Sequence, residues 1–318
     1  MKLMVPVHSL QSCKAQIDAG TDEIYLGYRV SFFKRMSFSA RPQIRSGEYI
    51  MPDEDEFREI IRYAKDRGIS VKLTANSAYF SDYPTGEMDM EEEYIRYVTS
   101  AVDCGIDAVV ISDIGLIHLI NQLRLPVQIY ASTLLDVDSI SQMNFLKEIG
   151  VSRVITAYQI TYKELECLAK NKTTEMEIFG YGGCSFGRGC ILGHNEEFGI
   201  PCENEYSLPE DQEVHRRIFS SLHCALCSIW KLLRINIDSI KLIGREQHYT
   251  RSLPVTNLFR KAIDIALKSD SDDMYMRMVH DIIPIWWKRL YCDERSCKYE
   301  SIPNRFRSIS EIGGGIYD

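Results

Sequence analysis

"DAVVISDIGLIHLINQLRLPVQIYASTLLDVDSISQMNFLKEIGVSRVITAYQ", Asp107 to Gln159, holds three apolar runs: DAVVISD, VQIYAST and RVITAYQ. Each is mostly apolar without strict alternation, as expected of strands buried on both faces of a parallel sheet. Between the second and third runs, Asp138 to Ile149 has the spacing of an amphipathic helix. Working outward, the same rhythm recurs. Further strands are predicted at KLMVPV (Lys2 to Val7), EIYLGY (Glu23 to Tyr28), SVKLTANS (Ser70 to Ser77), EMEIFGYG (Glu175 to Gly182) and SIKLIGRE (Ser239 to Glu246). Helical patterns cover Asp53 to Arg67, Glu91 to Cys104 and Thr161 to Lys170. Repeated strand–helix units imply a parallel sheet with helices outside it, and eight strands predict a closed, TIM-like (β/α)8 barrel of the α/β class. The alternative, an open doubly wound sheet, lacks a glycine-rich fingerprint after the first strand.

The rhythm breaks once, between strands seven and eight, where a cysteine-rich insertion runs from Cys184 to Cys227 and reads as a long irregular excursion. The barrel with this insertion is expected to occupy residues 1–268. Residues 269–318 are expected to form a helical extension and tail, with helical patterns at Asn257 to Lys268 and Asp272 to Trp287. Trp286 and Trp287 are expected to pack the last helix on the barrel.

The chain of 318 residues carries a formal net charge of −8. An acidic balance argues against a polyanionic partner, because nucleic-acid binding draws on phosphate neutralisation. A small molecule or a peptide suits it better as substrate. No apolar stretch is long enough to cross a bilayer, and the N-terminus reads as a first strand, not a secretory leader. A cytoplasmic location is the expectation, and there ten cysteines do not form a disulfide framework.

Five of the ten, Cys184, Cys190, Cys202, Cys224 and Cys227, fall in the insertion or at its edges. In a (β/α)8 barrel the loops after the strands build the site, so these five are placed to converge on one mouth. Four thiolates hold an iron–sulfur cluster or a zinc ion. Only CALC (Cys224 to Cys227) has knuckle spacing, so a zinc ribbon is disfavoured and a cluster gathered from several loops preferred. Packed or incidental thiols with no metal are the alternative. Cys13, Cys104 and Cys167 fall on helical patterns, and Cys292 and Cys297 lie among charges.

EIFGYGGCSFGRGC (Glu177 to Cys190) resembles the central motif of peptidase family U32: a strand, small residues, a cysteine, a glycine-rich turn with a basic residue, and a second cysteine. EIYLGY, SFSARP, IYASTLLDV and LCSIWKLLRINIDSIKLIGRE resemble its other segments in the same order, from about Lys2 to Lys268. Strand eight ends IGRE where the family pattern has EGRM. The resemblance implies a TIM-like barrel and either of two activities. One is oxygen-independent hydroxylation with a 4Fe-4S cluster; the other is proteolysis, thiol- or metal-dependent. A further implied alternative is a non-catalytic subunit that pairs with a homologous U32 partner. Carried over by position, the ligands are Cys184, Cys190, Cys202 and Cys227, with Cys224 as the substitute.

Other polar residues stand at predicted strand ends or turns. Glu177, Arg188 and Arg245 are the candidate catalytic residues; Arg41, Asn76, Asp113, Ser132, Thr133 and Tyr181 are candidates for substrate binding. For each the alternative is packing or a rim salt bridge, and for Glu177 bracing the barrel from inside. A peptidase finds no H-E-x-x-H and no G-x-S-x-G in the chain.

Overall fold

The structure is a computed structural model that describes residues 1–31, 37–39, 51–77, 90–185, 205–207, 214–216, 220–244, 248–292 and 297–299, with backbone alone at 183–185, 205–207, 214–216 and 220–222. Eight parallel strands close a barrel: β1 (Lys2–Pro6), β2 (Glu23–Leu26), β3 (Ser70–Ala75), β4 (Ala108–Ile111), β5 (Gln128–Ala131), β6 (Val151–Ile155), β7 (Glu175–Phe179) and, after four short strands of the insertion, β12 (Ser239–Lys241). Closure is made where Leu3 pairs with Ile240 and Met4 with Lys241. The barrel expected from the sequence is present.

The outer ring is α1 (Leu10–Asp18), α2 (Glu54–Lys65), α3 (Met90–Asp103), α4 (Ile114–Gln122), α5 (Ile140–Glu148), α6 (Tyr162–Lys170), the short α7 (Ile229–Arg234) and α8 (Tyr249–Lys268). Between ring and strands lies the main core, with Leu3, Val5, Ile24, Val71, Leu73, Val109, Ile129, Val154 and Ile178 against Phe57, Tyr97, Ile117, Leu165 and Phe259. Side-chain caps mark several helix starts: Asp53 accepts from Glu56 N–H, Ser139 from Gln142, and Thr161 with Glu164 closes a capping box.

Three features depart from the sequence reading. Helix α8 starts at Tyr249, not Asn257, and runs through Pro254, a residue that ordinarily argues against helix interior. The span from Asp272 to Trp287 is two helices, α9 (Asp272–Ile282) and α10 (Ile285–Tyr291). Pro284 drives the preceding Ile283 to an extended backbone, which ends α9. The insertion is not wholly irregular: β8 (Tyr181–Ser185) pairs antiparallel with β11 (Ser220–Cys224), and β9 (Glu205–Ser207) with β10 (Val214–Arg216). Strands of three to five residues are too short to show a period of two.

Inside the barrel the packing is ionic. Glu23, Lys72, Arg153, Glu177 and Lys241 are all buried there. Arg153 reaches Glu23 through both terminal nitrogens (2.5 and 3.1 Å), Glu177 Oε2 at 3.0 Å and Glu175 at 2.6 Å. Lys72 lies 3.5 Å from Glu23, and Lys241 3.5 Å from Glu177. Burial alone would push the Glu23 carboxyl up, but the Arg153 hydrogen bonds and the charges of Lys72, Arg153 and Lys2 hold it at about 2. A separate apolar group, Ala108, Val110, Tyr130, Ile155, Tyr158 and Phe179 with Ile243 beside it, fills the rest of the interior.

Candidate functional site

The C-terminal ends of the barrel strands form the mouth where (β/α)8 enzymes place their chemistry. Strand β7 stops at Phe179, and the next residue, Gly180, passes too close to its neighbours for any side chain. A Cβ there would stand 2.8 Å from Phe259 and 2.9 Å from Leu242. The chain resumes as β8, whose Gly182 has φ +139° and no room for a Cβ beside Ile243. Two of the motif's glycines are thus required by the turn from barrel strand to hairpin. The β8–β11 ladder pairs Tyr181 with Cys224, Gly182 with His223 and Cys184 with Ser221. It stands over the apolar interior, since the Tyr158 hydroxyl donates to the Gly182 carbonyl at 2.5 Å and the Tyr158 ring lies 6.0 Å from that of His223.

A second element crosses here. Cys297 makes an isolated parallel bridge with Cys224, and Lys298 N–H donates to the Cys224 carbonyl at 2.8 Å. The buried Lys298 ammonium donates to the Tyr158 carbonyl and lies 4.0 Å from the Tyr158 ring centre. Tyr299 donates its hydroxyl to the Phe179 carbonyl at 3.3 Å.

The two CALC thiols have different surroundings. Cys224 Sγ is buried and accepts from Trp287 Nε1 at 3.3 Å and Leu226 N–H at 3.4 Å. Burial pushes its thiol up to about 12. Cys227 is half-buried, with Sγ 3.7 Å from His280 Nε2 on α9. Burial also pushes the Cys13 thiol up to about 12, whereas Cys167 and Cys292 are exposed. Native alkylation with iodoacetamide near about pH 8 is expected to label Cys167 and Cys292 while sparing Cys13 and Cys224 until denaturant is added, as peptide mass mapping would show. Labelling of Cys224 at the rate of Cys292 would contradict the burial.

Several predicted site residues are engaged in structural contacts. Asp113 caps α4 by accepting from Leu116 N–H at 2.9 Å, and Ser132 accepts from Asn76 Nδ2 (3.2 Å) and Leu134 N–H (3.3 Å). Thr133 donates to the Thr156 carbonyl, and Tyr181 to the Ile243 carbonyl. Glu177 faces the interior, where it pairs with Arg153 at 3.0 Å. Arg41, Arg188, Arg245, Cys190 and Cys202 lie outside the described residues, as does the side chain of Cys184. Among the described residues no three histidine, cysteine or acidic side chains surround a common metal position, and no helix is long and apolar enough to cross a membrane.

The sequence-based candidates omitted Lys72, Arg153, Lys241 and Lys298. A signal existed for the first three, because each is a lone cation inside an otherwise apolar strand and a buried charge requires a partner.

Residues 8–296 match the sequence model of peptidase family U32. The chain belongs to that family. Among U32 relatives and similar proteins, an uncharacterised protease of Methanocaldococcus jannaschii is 26% identical over 303 residues, covering 84% of this chain and 66% of its own length. The 23S rRNA 5-hydroxycytidine synthase of Escherichia coli is 19% identical over 287 residues, covering 86% of this chain and 40% of its own. The chain thus spans less than two thirds of the length of either relative. In fold it resembles the solved U32 peptidase Mk0906, at TM-score 0.51 and 15% identity over 77% of this chain and 92% of that one.

Proposed function

We propose that this U32 chain is an iron–sulfur enzyme that carries out an oxygen-independent hydroxylation at the C-terminal mouth of its barrel. The observation that supports this most is the β8–β11 ladder. It joins the backbone of Cys184 to the strand that ends in Cys224, and so draws a cysteine motif and CALC to one end of the barrel. The donor set fits the group, since thiolates are the usual ligands of such clusters. The proposed ligands are Cys184, Cys190, Cys202 and Cys227. Half-buried Cys227 suits the fourth position better than Cys224, whose sulfur is enclosed by Trp287 and disfavours the thiolate. A cluster held there would supply one-electron redox chemistry.

The chain's own residues shape the space below. Tyr158, Phe179 and Ile243 give an apolar floor that excludes water, and Glu177 with Lys241 sets a carboxylate and an ammonium beneath it. The net charge of −8 favours a small molecule or a modified peptide as substrate. The name of the E. coli relative favours a nucleobase in RNA, and net charge does not determine the charge of one face.

Proteolysis is the second reading, favoured by the Cys227–His280 contact at 3.7 Å, a thiol beside a base. One variant separates the two. The chain purified without oxygen is expected to hold about four irons with matching acid-labile sulfide. Both are lost in Cys184→Ala and in Cys227→Ser. An iron-free chain after anaerobic reconstitution would overturn the hydroxylase reading. Peptide cleavage abolished by Cys227→Ser but kept by Cys184→Ala would establish the other.

A further inference from the structure

The barrel mouth carries two histidines that neither the cysteine motif nor the ionic layer uses. Strand β1 ends at Pro6, yet Val7 N–H still donates to the Tyr25 carbonyl at 3.1 Å, so strand alternation continues past it. Leu3, Val5 and Val7 pack in the main core between strands and ring. His8 therefore falls on the inner side, at the C-terminal end of the strand. Its backbone is pinned there, because Ser12 Oγ accepts from the His8 and Ser9 N–H groups at 3.0 Å each. His248 immediately precedes α8, the helix that follows the eighth barrel strand β12. Since β12 pairs with β1, the two histidines rise from neighbouring strands, and their ring centres are 6.4 Å apart.

Both rings present the same nitrogen. His8 Nε2 is buried and has no hydrogen-bond partner, which costs stability unless something binds it. The residue's own backbone carbonyl favours a proton on the ring, which places that proton on Nδ1 and the lone pair on Nε2. Burial, and then the neighbouring His248, lower the pKa of His8, so the ring is neutral. His248 Nδ1 lies 2.9 Å from the Thr250 hydroxyl, which can accept its proton. Thr250 N–H, at 3.5 Å from the same nitrogen, holds the opposite tautomer only weakly. Neutral imidazoles with Nδ1 turned to an oxygen and Nε2 open are the usual form of a metal ligand. Zinc–nitrogen bonds of about 2.0–2.1 Å set the ring centres of two ligands about 5–6.5 Å apart. His248 is exposed, so an ion has access from its side.

We propose that His8 and His248 hold a divalent transition-metal ion of the zinc type between their Nε2 atoms, at the rim of the barrel mouth. This centre is separate from the cysteines and rests on neither reading of the proposed function. Imidazole nitrogen suits zinc and its neighbours and not magnesium or calcium, which take oxygen ligands. Two imidazoles leave two of the ion's four positions open, for water or for an oxygen of a small molecule at the mouth. Because both ligands are neutral, the ion keeps its full charge, which favours a carboxylate oxygen in those positions over an uncharged group.

The test titrates zinc chloride into the full chain carrying nitrogen-15-labelled histidine and follows the ring nitrogens of its seven histidines. The Nε2 resonances of His8 and His248 are expected to shift together, and magnesium chloride is expected to leave both in place. His8→Ala is expected to abolish the zinc response at His248, and His248→Ala that at His8, at unchanged far-ultraviolet circular dichroism. A capping or packing role alone gives no such reciprocal loss. Neither resonance moving in excess zinc overturns the proposal, as does a response confined to His280 beside Cys227, which would put the metal at CALC. A His248 response that persists in His8→Ala overturns the shared site. The wild-type titration decides even where a variant fails to fold. In Cys184→Ala, expected to lose its iron, the zinc response is expected to persist, so this inference and the cluster reading fail separately.

Discussion

Arg153→Met is expected to lose about 3–5 kcal/mol of stability at neutral pH, the range seen when one partner of a buried ion pair is removed. That is a large part of the roughly 5–15 kcal/mol that holds a domain folded. The substituted side chain keeps much of the volume, so the loss comes from charge: Glu23 and Glu177 remain inside the barrel without the guanidinium that binds both. The pH dependence follows from Glu23. Its folded-state value of about 2 lies below the ordinary value of 4.5, so its contribution is present above about pH 4.5 and is lost as pH falls toward 2. In the variant Lys72 and Lys2 remain but the Arg153 hydrogen bonds are gone, so the carboxyl is held down less and protonation relieves part of the uncompensated charge. The deficit of the variant is therefore expected to shrink between neutral pH and about pH 4. Urea unfolding of both proteins across this range checks the claim. A loss under about 1 kcal/mol at neutral pH would mean that the network carries little of the fold. Glu23→Gln added to Arg153→Met is expected to recover part of the loss, since it removes one orphaned charge.

Trp287→Ala is the second large effect, about 3–5 kcal/mol for removing a buried tryptophan. Trp287 is fully buried. It stacks on Tyr291 at 4.2 Å, meets Tyr181 edge-on at 5.6 Å and donates to Cys224 Sγ. Its loss opens a void over β8 and β11 and uncovers the Cys224 thiol, so iodoacetamide is expected to label Cys224 in the variant under native conditions. The neighbouring Trp286 is 44% exposed, and Trp286→Ala is expected to change stability by no more than about 0.5 kcal/mol, as for most surface positions. Thermal unfolding of the two variants side by side measures the contrast; equal effects would contradict it. The sequence reading grouped both tryptophans as packing; Trp287 is enclosed against the barrel, whereas Trp286 stays largely at the surface, where it meets the edge of Trp287 at 5.5 Å.

What could be read beforehand follows from the range of each signal. The eight barrel strands were legible because burial on both faces makes a parallel strand mostly apolar, as in AVVI of β4. Helices α2, α3, α5 and α6 were legible from one-sided burial; α2 turns Phe57, Ile60, Ile61 and Ala64 inward and its charges outward. Helix α4, IGLIHLINQ, is too uniformly apolar to show a polar face, and α1 is short and weakly patterned. In the site, the cysteine motif and its place after strand seven were legible. That Cys224 turns to Trp287 and Cys227 to His280 was not, because these partners stand 63 and 53 residues further along the chain.

The sequence by itself determined that this protein is a barrel of eight parallel strands with a cysteine motif at the end of the seventh, since those signals are periods and spacings within a few residues. The tertiary structure alone decided which charges meet inside it. Glu23 and Arg153 stand 130 positions apart, and no local pattern specifies such a partner; barrel closure brings them together, and the cost of leaving either charge alone in a dry interior holds them there.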